Sequence, residues 1–166
     1  MLTKAMETIL NEQIEKEGYS SNLYLAMAVW IEENGFNGIS KWLYAQAEEE
    51  RVHMLKFISY IAERDANAII PEFKKPPVDY GNVKDLFEAV LKHEKYISSS
   101  INDIVGKSLD ERDYTTHTWI QWFVTEQIEE EASVREILDK LELVGDKNLY
   151  MFDRDILGMR GTAAAE

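Results

Sequence analysis

Residues 47–58 read AEEERVHMLKFI, and the Glu50-x-x-His53 pair inside this stretch decides the fold. On a helix, a spacing of three puts both side chains on one face, where they can grip a single ion. Glu17 stands 33 residues upstream of Glu50. The same pattern returns 77 residues further on, where Glu94, Gln127 and Glu130 answer Glu17, Glu50 and His53 with gaps of 33 and 3 in both halves. A chain that repeats metal-loving side chains at fixed spacing reads as two copies of a helical hairpin, able to face each other across a pseudo-twofold axis.

The residues around these positions carry helical periodicity. Positions 6, 10, 13, 17, 21, 24, 28 and 31 alternate steps of three and four, the stripe of an amphipathic helix. Similar stripes pass through Ile39, Gln46, Glu50, His53 and Phe57, through Val90, Glu94 and Ile97, and through Phe123, Gln127, Glu130 and Val134. They predict helices over about 3–34, 36–65, 83–110 and 113–144. The links around Asn34 to Asn37 and Asp110 to Asp113 are so short that each pair must be an antiparallel hairpin. The stretch Ala66 to Asn82, with Pro71, Pro76, Pro77 and Gly81, is different. Extended, it reaches roughly 56 Å, against roughly 42 Å for a 28-residue helix. It can therefore travel the full length of a bundle and set the second and third helices parallel. The expectation is an all-α, single-domain chain over 1–166: a four-helix bundle with one long crossover, a short fifth helix near 148–157 and a frayed tail over 158–166.

Composition narrows the function. The 166 residues carry a net charge of −13, with 45% hydrophobic residues, three prolines and no cysteine. Such acidity opposes electrostatic binding to nucleic acid or an anionic membrane and attracts cations. Without cysteine there are no disulfides, thiolate metal sites, iron–sulfur clusters or Cys nucleophiles. The opening MLTKAMETIL turns polar too soon for a signal peptide or a membrane span, so a cytoplasmic protein is expected.

Glu17, Glu50, His53, Glu94, Gln127 and Glu130 interrupt the apolar stripes instead of lying on the polar faces, so they point into the core near mid-helix. Four buried carboxylates repel one another and each costs several kcal/mol to desolvate. Two divalent cations would cancel their charge. Carboxylate oxygens with a single imidazole suit iron or manganese better than structural zinc. Glu126, Glu129 and Glu130, with Glu49 beside Glu50, form a second acidic flank that is either a solvated face or an auxiliary metal site. Tyr24 lies two turns beyond Glu17 on the same stripe, as a packing residue or an electron donor. Trp30, Trp42, Trp119 and Trp122 read as packing, and His93 and His117 fall off the interior stripes.

The segments NEQIEKEGYSSNLYLAM (11–27), AEEERVHMLKFI (47–58), FEAVLKHEKYISSSIN (87–102) and WIQWFVTEQIEEE (119–131) resemble the prokaryotic non-haem ferritins, in order and at family spacing, over essentially residues 1–157. The resemblance implies a ferritin-like bundle and a ferroxidase that oxidises Fe(II) with dioxygen, its di-iron pair held by Glu17, Glu50, His53, Glu94 and Glu130. Glu50 would bridge and Gln127 would stand behind the ligands. It further implies a third iron position at Glu49, Glu126, Glu129 and Glu130, Tyr24 as the tyrosine near the site, and a hollow homo-oligomeric shell of 24 subunits storing hydrated ferric oxide.

Two features depart from the family pattern. Gly18 is a helix-weakening residue beside Glu17, expected to loosen it, and the tail after Leu157 is unlike the family's. The ferritin-like di-iron arrangement uses one Glu from each of two helices and a Glu-x-x-His pair from each of the others; here the fourth helix offers Gln127-x-x-Glu130 instead. A haem-binding relative would carry a methionine where this chain has Arg51, so no haem is expected. The rival readings are a di-iron carboxylate oxygenase or peroxidase without storage, and a metal-free structural bundle. Aerobic Fe(II) addition separates them, since only storage couples oxidation to a large iron-filled particle.

Overall fold

The computed structural model describes residues 1–160, so residues 161–166 of the expected tail lie outside it. Four long helices carry the fold: α1 (Lys4–Glu33), α2 (Asn37–Glu63), α3 (Val83–Asp110) and α4 (Tyr114–Val144). A 3₁₀ turn at Asp146–Asn148 leads into the short α5 (Leu149–Asp155), and a second turn follows at Ile156–Met159. No strand occurs among the described residues.

The helix ends follow from local chemistry. Thr3, Asn82 and Asp113 cap α1, α3 and α4, each side chain accepting a backbone N–H three residues on. Helix α2 lacks such a residue, and its start is capped from a distance: Asp153 of α5 accepts the Ile39 N–H at 2.8 Å. Gly38 makes this approach possible, because a Cβ there would stand 1.8 Å from the Asp153 carbonyl oxygen. Helix α2 stops short of the expected residue 65, where Asp65 turns left-handed with φ 56°.

The crossover runs alongside α1. Asn67 and Ile69 hydrogen-bond the Asn11 side chain, the Phe73 ring packs at Gly18, and Tyr80 meets Trp30 edge-on at 5.8 Å. The crossover thus enters beside the start of α1 and leaves beside its end. This makes α3 antiparallel to α1 and parallel to α2.

Two apolar clusters fill the bundle. One joins Leu23–Ile31, Ile39–Ala47, Val83–Val90 and Val134–Leu141; the other joins Met6–Ile14, Phe57–Ile61, Ile97–Ile104 and Ile120–Phe123. Between them every helix leaves a polar interval at the same height, containing Glu17, Glu50 and His53, Glu94, and Gln127 and Glu130.

Two expectations are corrected. Gly18 is not a slack point: α1 is continuous through it, and the missing side chain makes room for Phe73, whose ring atoms would stand 2.3 and 2.4 Å from a Cβ. The tail is not frayed from 158, because the turn continues to Met159 and Arg160 bonds to Glu49 and to the Trp42 carbonyl.

Candidate metal centre

All six inward positions are buried: Glu17, Glu50, His53, Glu94, Gln127 and Glu130. Glu17, Glu50 and His53 each offer a ligating atom within 4.8 Å of the others, with His53 Nδ1 3.5 Å from Glu50 Oε2 and 4.0 Å from Glu17 Oε2. Glu94 and Glu130 lie outside that triple but share its chamber.

Neutral donors hold three of the four carboxylates. Gln13 Nε2 donates to Glu17 Oε1 at 2.8 Å, Gln46 Nε2 to Glu130 Oε2 at 2.5 Å, and Gln127 Nε2 to Glu94 Oε2 at 3.1 Å. The Tyr24 hydroxyl donates to Glu94 Oε1. Glu17 Oε2 and Glu50 Oε1 are buried with no hydrogen-bond partner. Unpaired carboxylate oxygens inside a protein are costly and rare, so these two atoms call for a ligand.

Electrostatics point the same way. Burial pushes the Glu50 carboxyl well above the ordinary range, and the charges of Glu94 and Glu17 push it further. Glu130 is raised well above its usual value by burial and then by Glu94 and Glu50. For Glu94, burial outweighs the lowering effect of the Tyr24 and Gln127 hydrogen bonds, and the net direction is upward. Burial and neighbouring carboxylates raise the Tyr24 phenol far above 10, so it stays a donor. The chamber therefore favours either protons or cations, and a hard divalent cation with oxygen and imidazole ligands fits its donor set.

A second group abuts the first. Glu49, His53 and Glu126 bring ligating atoms within 4.8 Å of one another, so His53 belongs to both groups. Glu126 is buried, Glu49 partly so, and Glu129 is exposed and belongs to neither group, though its charge helps raise the Glu126 carboxyl after burial, the main cause.

Several participants have roles that the spacing did not reveal. Gln13 and Gln46 stood on the interior stripes, but their hydrogen bonds to the carboxylates were not foreseen; Gln13 lies four residues before its partner Glu17, a signal the sequence offered, whereas Gln46 bonds Glu130 across the bundle, 84 residues on, which no spacing along α2 reveals. His93, read as unremarkable, is largely buried among Tyr19, Tyr24 and Tyr96, meets Ser20 Oγ at 2.7 Å, and is lowered by burial to about 4. Trp122 is 42% exposed and is no core residue: its ring lies 5.5 Å from the His53 ring and carries Lys56 Nζ 3.1 Å from its centre.

A four-helix bundle with one long crossover and a carboxylate–histidine chamber at mid-height defines the ferritin-like class, and a family model for the ferritin-like domain matches residues 7–144. The chain belongs to the non-haem ferritin family. It is 42% identical over 158 residues to the bacterial non-heme ferritin of Campylobacter jejuni, covering 94% of this chain and 95% of that one. It is 34% identical to the bacterial non-heme ferritin of Bacteroides fragilis, covering 96% and 100%. Among solved structures, the open-pore ferritin of Archaeoglobus fulgidus superposes with a TM-score of 0.92 at 34% identity, covering 94% of this chain and 98% of that one.

Proposed function

We propose that this protein is an iron-storage ferritin whose subunits oxidise Fe(II) with dioxygen and pass the ferric product to a mineral core inside a cytoplasmic, homo-oligomeric shell of 24 subunits. The observation that carries this reading is the pair of orphaned oxygens, Glu17 Oε2 and Glu50 Oε1, in a buried chamber of four carboxylates and one imidazole.

In this reading two Fe(II) ions are the substrates. Glu17 and His53 hold one, Glu94 and Glu130 hold the other, and Glu50 lies between them. Each ion gives an electron to dioxygen, and hard anionic carboxylates favour the ferric product. Gln127 and Tyr24 orient Glu94, Gln13 orients Glu17, and Gln46 orients Glu130. The Glu49–His53–Glu126 group is a third iron position, and its shared imidazole makes it the neighbouring step for an ion leaving the pair; Glu129 adds charge at its rim. No described helix is long and apolar enough to cross a membrane. Exposed apolar side chains along the crossover and α1, including Ile69, Ile70, Val78 and Val29, support burial against other subunits.

The test is aerobic addition of Fe(II) to the metal-free protein, following ferric absorbance and particle mass together. Both rise if the protein stores iron, and a weakly buffered solution acidifies as water on Fe(III) loses its protons and hydrated ferric oxide forms. Oxidation without a heavy particle would make it an oxygenase or peroxidase; neither signal would leave a structural bundle. Glu50→Ala and His53→Ala are expected to lower the initial rate by more than about 100-fold, beyond what losing a partner behind a metal ligand costs. Rapid oxidation in both variants would refute the assignment.

A further inference from the structure

The second acidic group has a cation of its own. Arg160 Nη2 donates to Glu49 Oε2 at 2.9 Å, and Nη1 donates to the Trp42 carbonyl at 3.2 Å. The side chains of Arg160 and Glu49 are only 22% and 18% exposed, so bulk salt screens the pair weakly. The guanidinium is delivered by a fixed backbone: Phe152 and Ile156 are buried in the bundle core, and Met159 packs against it. Lys56, the other basic residue nearby, sits on the Trp122 ring and makes no ion pair with a described carboxylate. Of these two basic residues, then, only Arg160 occupies an oxygen of the group.

We propose that Arg160 is a tethered counter-ion of the Glu49–His53–Glu126 group. A divalent cation arriving there competes with the guanidinium for Glu49. This competition shortens the ion's stay and makes the group a transfer position, from which iron moves on, instead of a resting one. The inference rests on reading the group as a third metal position. The competition is reciprocal, as linkage requires: a bound metal weakens the Arg160–Glu49 pair by the same factor as the pair weakens the metal.

Zn(II), which cannot be oxidised, isolates binding from turnover. Calorimetric titration of the metal-free assembled protein is compared among wild type, Arg160→Gln, Arg160→Lys, Glu49→Gln and the Glu49→Gln/Arg160→Gln double variant. An ion pair of this kind contributes on the order of a five-fold change in equilibrium. Arg160→Gln is expected to tighten the weakest Zn(II) step about five-fold. Arg160→Lys keeps the wild-type affinity, and Arg160→Gln adds nothing once Glu49 is gone. Tb(III) luminescence sensitised through Trp122 reports the same step locally and should show the same order. If Glu49→Gln removes the step while Arg160→Gln leaves its affinity unchanged or weakens it, the counter-ion role is wrong and the metal position stands. If Glu49→Gln alters no Zn(II) step, the metal-position reading fails and the inference falls with it.

Discussion

Replacing Gly18 with alanine should reverse the sign of its effect when Phe73 is removed. In a helix interior, alanine is favoured over glycine by about 1 kcal/mol, so propensity alone predicts a more stable protein. The structure opposes that. A Cβ at position 18 would lie 2.3 and 2.4 Å from Phe73 Cε1 and Cζ and 2.9 Å from Met54 Sδ. Carbon atoms in comfortable contact stand about 3.5–4.0 Å apart, so the ring must retreat by more than about 1 Å. Overpacking of this kind costs about 1–3 kcal/mol. Taking the middle of that range, Gly18→Ala destabilises the protein by about 1 kcal/mol net. In a Phe73→Ala background the ring clash is gone and only the flexible Met54 thioether must give way, so the same substitution stabilises by up to about 1 kcal/mol, a coupling of about 2 kcal/mol. The assay is guanidinium unfolding of the four metal-free proteins by far-ultraviolet dichroism at one protein concentration, since assembly shifts apparent stability. A stabilising Gly18→Ala in the wild-type background, or no change of sign, would refute the notch-and-ring account.

Glu50→Gln should stabilise the metal-free protein at neutral pH and have little effect in acid. The folded-state value of Glu50 lies well above its ordinary 4.5, chiefly through burial, so the folded state holds a proton that the unfolded state has lost; stability falls as pH rises from the ordinary value towards the raised one, and the amide removes that loss. Melting temperatures of both proteins at pH 4.5 and 7.5 check this, and an equal shift at both pH values would count against it. Tyr24→Phe should weaken Zn(II) binding more at pH 5.5 than at pH 7.5. Burial raises the Glu94 carboxyl and the Tyr24 hydrogen bond opposes the rise, so its loss lets protons compete better with metal; an unchanged pH dependence of binding would show the bond to be merely structural.

The matched spacing of 33 and 3 made the level of the chamber legible before any coordinates, because a helix converts spacing into height and face. The crossover was legible from its prolines and its reach. Glu129 was not: one residue from Glu130 on a helix, it is turned about 100° away, and acidic density in the chain does not reveal which face meets solvent. His93 lies off its own helix's stripe, but the flank of α1 covers it with Tyr19, Tyr24 and Ser20, a tertiary contact that no single-helix pattern carries. Gly18 misled for the same reason. Its cause is a side chain 55 residues later, delivered by a loop whose path the sequence bounds in length but not in course. Arg160 likewise acts on a residue 111 positions away.

The kind of donor that holds each carboxylate separates the two groups. Glu17, Glu94 and Glu130 are oriented by Gln13, Gln127 and Tyr24, and Gln46, all uncharged, while Glu50 has no amide or phenol donor and faces the Glu17 carboxyl and the His53 ring, the latter at 3.5 Å. Amide and phenol hydrogens fix the direction of an oxygen without cancelling its charge, so the buried pair keeps its full demand for cations from outside. Glu49 is held instead by a guanidinium, which fixes the carboxylate and also answers part of its charge. On the proposed reading, a chamber built on neutral donors would bind its metals first and tightly, and a neighbouring group that carries its own cation would bind later and let go sooner. Because His53 belongs to both groups, the two would then form a downhill-then-release sequence, the order needed to oxidise an ion at one place and send it on to another.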